Sequence, residues 1–162
     1  MPGFELIGKS EFNEIKKIFT KSNGVLFAHG FDKLRKNIFR VRKFEKEISK
    51  LFKSKYVQCV SSGTAALKIA LKSAGVKHND EVITQGFNFI ATIEAIVGCG
   101  AKPIITGIND DLNLDFDHLK KLVTKKTKAI VFVNYGGLPC NLDELKKIAK
   151  KNNALLIQDA AQ

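Results

Sequence analysis

The stretch TKAIVFVNYGGLPCNLDELKKIAKKNNALLIQDAAQ, residues 127–162, decides the fold. Ala129–Val133 is an unbroken apolar run of strand length, too continuously apolar to be half exposed. Leu142–Asn152 reads as a helix and Ala154–Ile157 as a second strand. A strand, a crossover helix and a strand form the unit from which parallel sheets are built. Working outward, the alternation repeats toward the N-terminus. Asp117–Val123 is a helix, Pro103–Thr106 a strand, Phe89–Val97 a helix, and Asp80–Thr84 is strand-like around Val82-Ile83. Before these lie Gly63–Ala74, a helix that stops at Gly75, and the β-rich run Tyr56–Val60. The expected class is α/β, a mainly parallel sheet with crossover helices and fully covered strands.

The first 55 residues read differently, as a helical arm (1–55) ahead of the α/β part (56–162). Ser10–Ser22 is amphipathic, with Phe12, Ile15, Ile18 and Phe19 expected to face inward. Gly24–Gly30 is a loop or short extended stretch. A second helix carries Ile38, Val41, Phe44, Ile48, Leu51 and Phe52 on one face and Lys or Arg on the other. The formal charge of +11 is concentrated here, since residues 32–55 hold 10 basic against 3 acidic groups. A solvated basic face accounts for this pattern, and no zinc finger, RNA-binding signature or aromatic interleaving points to nucleic acid.

With 162 residues, 44% hydrophobic and only three prolines, the chain can bury a core and is no low-complexity protein. No apolar run approaches a membrane span, and MPGFELIGKSEF lacks a signal-peptide layout, so the expected location is the cytoplasm with no membrane partner. Cys59, Cys99 and Cys140 are far apart without ligand spacing, so no metal site or disulfide is expected and each reads as a small core residue.

Parallel sheets bind ligands at the carboxyl ends of their strands. Two junctions there stand out. In Val57-Gln58-Cys59-Val60-Ser61-Ser62-Gly63-Thr64-Ala65-Ala66-Leu67, a small-residue turn opens a helix, leaving amide donors at the positive end of its dipole. Such a turn suits a phosphate, and Ser61 or Ser62 acting as a simple helix cap explains it equally well. The lysine and glycine spacings of an ATP or dinucleotide loop are absent. At the second junction, the strand ends on Asp159, a carboxylate that wants a cation such as a protonated pyridine nitrogen, or serves as a loop cap. Between them lies Phe87-Asn88-Phe89-Ile90-Ala91-Thr92. Phe89 there could stack on a flat ring, although among twelve phenylalanines a core role is the usual expectation.

An ordered series of motifs resembles the DegT-type sugar aminotransferases, enzymes of fold-type I that depend on pyridoxal 5'-phosphate. The series runs through Lys43-Phe44-Glu45-Lys46-Glu47, SSGTAAL (61–67), DEVIT (80–84), FIAT (89–92), Gly100-Ala101-Lys102-Pro103, Asn113-Leu114-Asp115, Thr127-Lys128-Ala129-Ile130, Tyr135–Cys140 and DAAQ (159–162). The resemblance implies that Gly63, Thr64 and Ala65 hold the cofactor phosphate, Phe89 stacks on the pyridine ring, Asp159 pairs with the ring nitrogen and Gln162 lies beside the ring hydroxyl. It implies amino transfer, usually from glutamate, to the keto group of a nucleotide-linked sugar, in active sites at a homodimer interface.

The departures are informative too. The family's Schiff-base lysine follows the DAAQ-like motif, so no lysine of this sequence stands at its position and no catalytic residue is assigned. The usual acid after the Pro103–Thr106 strand is Gly107, and a common acid before Asp159 is Gln158. The expectation is the N-terminal part of a larger enzyme, inactive alone. In some relatives a histidine replaces the lysine and the reaction is a sugar dehydration. A reading outside this chemistry is a non-catalytic basic α/β interaction module.

Overall fold

The computed structural model describes residues 4–27 and 29–161, in two compact units, Met1–Cys59 and Val60–Gln162. The second unit holds four strands: β1 (Glu81–Gln85), β2 (Lys102–Thr106), β3 (Thr127–Val133) and β4 (Leu155–Asp159). All pair in parallel, in the order β2-β1-β3-β4. Ile83 stands between Ile104 and Ile130, and Val133 is the partner of Asp159.

Both faces of the sheet are covered because its central strands carry apolar side chains on both. On one face, α3 (Gly63–Ser73) and α4 (Ala91–Val97) press Leu67, Leu71, Ala95 and Ile96 onto Val82, Ala129 and Val131. On the other, α5 (Phe116–Leu122) and α6 (Leu142–Lys151) press Leu119, Leu145 and Ile148 onto Ile83, Ile130 and Phe132. Each fully buried side chain of this size contributes about 1.5–3 kcal/mol.

Helix starts follow the capping chemistry of the sequence. Asn141 accepts the Glu144 amide at 3.1 Å, and Asp115 accepts those of Asp117 and His118 at 2.9 and 3.0 Å. The His118 amide, more than any other donor, holds the Asp115 carboxyl below its ordinary range. Gly75, just beyond α3, has φ +77°, the left-handed backbone that ends a helix and favours glycine. Reversal there sends α3 antiparallel to β1, so the first turn of α3 lies at the carboxyl edge of the sheet.

Four expectations are corrected. Tyr56–Val60 forms no strand: no partner ladder reaches it among the described residues, and the Glu45 carboxylate instead accepts the Cys59 amide at 2.8 Å. Full coverage holds for β1 and β3 but not for the edge strands β2 and β4, where Ile105 and Leu155 are about half exposed. An edge strand has a neighbour on one side only. In the first unit, α1 (Lys9–Lys21) and α2 (Arg40–Leu51) form as expected, yet Phe12, Ile15, Phe19, Phe44 and Leu51 are exposed rather than inward. Helix α4 begins at Ala91, two residues later than the spacing suggests.

Of the cysteines, Cys99 is buried while Cys59 and Cys140 are half-buried, and none is disulfide-bonded. Desolvation pushes the Cys140 thiol up and, together with the Glu45 carboxylate, the Cys59 thiol. Among the described residues no group of side chains could hold a metal ion, and no helix is long and apolar enough to cross a membrane.

Candidate active site

Three features meet the carboxyl edge of the sheet because of how the chain is threaded: the start of α3, the start of α4 and the end of β4. At the first, Ser62 caps α3, its Oγ accepting the Ala65 amide at 3.1 Å. The cap uses one donor of the first turn, and the Gly63 and Thr64 amides have no intrahelical acceptor. Gly63 lies outside the left-handed region, and a Cβ built on it would meet nothing within 4 Å. Neither backbone strain nor packing within this chain explains the glycine. The open volume over its backbone is what a bound phosphate would fill. Thr64 is half-buried beside it.

At the start of α4 the Phe89 ring is 73% exposed, which removes the core reading and leaves an aromatic face free. Its neighbour Phe87 packs against Tyr135, ring centroids 4.5 Å apart. The turn carrying both is fixed from beneath by Gln85, which is 1% exposed. Its Nε2 donates to the carbonyls of Phe87 (3.3 Å) and Leu112 (3.0 Å), while its Oε1 accepts the Val133 amide at 3.0 Å.

Asp159, the last residue of β4, is half-buried and held by neutral donors. The Ala161 amide donates to Oδ1 at 3.1 Å, and the Thr92 hydroxyl lies 3.5 Å from Oδ2. The same hydroxyl is 3.3 Å from Asn88 Oδ1, and Asn88 Nδ2 donates to Thr84 Oγ1 at 3.3 Å. No cation pairs with Asp159 among the described residues. A carboxylate with fixed oxygens and no counter-charge suits a cationic N–H donor. Gln162 lies outside the described residues.

The sequence reading did not single out Thr84, Gln85, Asn88 or Thr92 as site residues. The four-residue spacing of Asn88 and Thr92 across the start of α4 lets the two meet, but the 67-residue separation of Thr92 from Asp159 gave no signal. Gly107 donates its amide to His118 Nδ1 at 2.8 Å, and a Cβ there would come within 3.2 Å of that nitrogen. The imidazole fills the space a larger residue would need. Thr92→Val, which removes a hydroxyl that is 1% exposed, is expected to lower stability by about 1 kcal/mol in urea unfolding. An unchanged midpoint would show that the hydroxyl donates to neither acceptor.

Comparison with known proteins gives a consistent result. The profile of the DegT/DnrJ/EryC1/StrS aminotransferase family matches residues 32–162. Spore coat polysaccharide biosynthesis protein SpsC of Bacillus subtilis is 36% identical over 157 residues, covering 96% of this chain and 38% of that protein. An aminotransferase from Psychrobacter cryohalolentis superposes with TM-score 0.84 at 31% identity, over 99% of this chain and 38% of its own. A GDP-4-keto-6-deoxymannose-3-dehydratase, solved with a trapped PLP-glutamate geminal diamine, gives TM-score 0.80 at 27% identity, over 95% and 39%. The chain therefore spans under two fifths of the length of these relatives.

Proposed function

The chain belongs to the DegT/DnrJ/EryC1/StrS aminotransferase family, and from that premise we propose that it binds pyridoxal 5'-phosphate at the carboxyl edge of its sheet. The Gly63 and Thr64 amides and the Thr64 hydroxyl donate to the phosphate, with Ala65 completing the turn. Phe89 stacks on the pyridine ring, and Gln162 lies beside the ring hydroxyl. Asp159 accepts the ring N–H and keeps its proton in place. When bound, the cofactor supplies an electron sink for removing the substrate's Cα proton. Ala161 and Thr92 hold the Asp159 carboxylate still, so that its orientation is set before the cofactor arrives.

The whole protein's reaction, in this reading, moves an amino group from glutamate to the keto group of a nucleotide-linked sugar, in a cytoplasmic homodimer. The dehydratase relative supports the substrate class, since its name carries a GDP-linked keto-sugar and its structure a glutamate adduct. The same likeness supports a second reading, a sugar dehydratase.

The observation that carries the proposal is a carboxylate with one amide donor, a hydroxyl 3.5 Å away and no cation among the described residues, at the same sheet edge as an open helix start. Asp159→Asn is expected to weaken pyridoxamine phosphate roughly tenfold or more, the worth of a charged hydrogen bond, while leaving inorganic phosphate affinity unchanged. Equal weakening of both ligands, or of neither, would place the ring nitrogen elsewhere.

A further inference from the structure

Among the described residues of the first unit, one buried cation has no anion partner. Arg35 is 4% exposed, and its guanidinium offers five N–H donors and no acceptor. Among the described residues its nitrogens Nη1 and Nη2 reach the carbonyls of Gly30 and Val25, both at a long 3.4 Å, and its Nε has no partner. The Phe39 ring lies 4.5 Å away. The nearby carboxylate Glu14 is already taken by Arg40, at 2.6 Å, and by Lys17. A buried charge left uncompensated in this way costs several kcal/mol.

The surroundings of Arg35 share its deficit. A cavity of about 100 Å³ places Ser22, Arg35 and Arg40 among six apolar residues, Val25, Ile38 and Val41 among them. Ser22 Oγ, on a residue 2% exposed, and Arg40 Nε are also buried without hydrogen-bond partners. Arg40 and Val41 form the first turn of α2, which has no side-chain cap and no acidic residue in that turn. Its amide donors and its positive dipole end are therefore unanswered. The end of α1 does not supply the missing negative charge, since the Ile18 carbonyl already accepts the Ser22 and Gly24 amides at 3.1 Å each. The buried side-chain atoms without partners at this cavity are two guanidinium nitrogens, which only donate, and a hydroxyl, which can.

We propose that this cavity binds a small oxyanion of the phosphate or sulfate class, held by the Arg35 and Arg40 guanidinium groups, the Ser22 hydroxyl and the first amides of α2. The volume equals about three water molecules, enough for one tetrahedral oxyanion and too little for a nucleoside. The site lies wholly in the first unit and does not rest on the cofactor proposal.

The test is a titration of the 162-residue chain with inorganic phosphate against chloride at matched ionic strength, followed by the ¹H–¹⁵N signals of the Arg35 and Arg40 Nε–H groups and the residue 40–42 amides. A saturable shift of these signals is expected. Arg35→Gln should weaken it roughly tenfold or more and Ser22→Ala about threefold or more. Gly63→Val, which alters the other candidate phosphate site, should leave it unchanged. Non-saturating shifts, or a midpoint unmoved in Ser22→Ala, would overturn the proposal. The serine variant decides the matter should Arg35→Gln not fold.

Discussion

Gly63→Val is expected to reduce affinity for pyridoxamine phosphate by well over tenfold without lowering the melting temperature. The two halves of this expectation come from different observations. Position 63 has an ordinary backbone conformation, and a Cβ there touches nothing within 4 Å, so the folded chain accepts a side chain. The space that makes it tolerant is the space the phosphate would use to reach the Gly63 and Thr64 amides. A branched side chain fills it and lengthens every amide-to-phosphate hydrogen bond, each worth about 1.5–3 kcal/mol when the acceptor is charged. Gly63→Ala should fall between wild type and valine in affinity. Equilibrium titration beside thermal melts checks both halves. Wild-type affinity in a folded valine variant would reduce the turn to a cap, with Ser62 Oγ on the Ala65 amide as its whole purpose.

Gln85→Leu is expected to lower stability by about 3 kcal/mol or more, although it replaces a buried side chain with an apolar one of similar size. Gln85 satisfies the Val133 amide and the carbonyls of Phe87 and Leu112. Leucine leaves the buried Val133 amide and two part-buried carbonyls without that partner, and an unsatisfied buried group costs about 1–3 kcal/mol. Against a total of about 5–15 kcal/mol this is a large fraction. Because the same side chain anchors the turn that carries Phe89, the variant should also lose cofactor affinity. Urea unfolding at constant slope measures the first effect. A loss below about 1 kcal/mol would mean that relaxation or water replaces the glutamine.

What the sequence made legible follows from where each signal resides. The strands around Val82-Ile83 and Ala129–Val133 announced themselves because the sheet buries both their faces, which needs an unbroken apolar run. Their edge neighbours β2 and β4 carry similar runs, and nothing local says that Ile105 and Leu155 have a neighbour on one side only. Tyr56–Val60 has the composition of a strand, but strand formation depends on a partner distant in sequence, and here Glu45 takes the Cys59 amide instead. The periodicity of α1 and α2 located both helices and could not reveal how much of each apolar face is covered.

The candidate site divides in the same way. Gly63, Thr64, Phe89 and Asp159 lie on short contiguous motifs and could be named from the chain alone. The links beneath them, Thr92 to Asp159 and Gln85 to Val133, close over 67 and 48 residues and are products of the fold. Arg35 was concealed by its company. In a segment with ten basic residues one cation looks like another, and only burial separates it from the solvated rest.

The most direct test of the central claim is a residue-by-residue map of where pyridoxamine phosphate binds, from ¹H–¹⁵N chemical-shift changes in a titration of the 162-residue chain. The account predicts the largest saturable changes at the Gly63, Thr64 and Ala161 amides and in the turn carrying Phe89, all at the carboxyl edge of the sheet. Changes confined to the opposite edge, around Lys102, Lys126 and Asn153, or no saturable change anywhere, would contradict it.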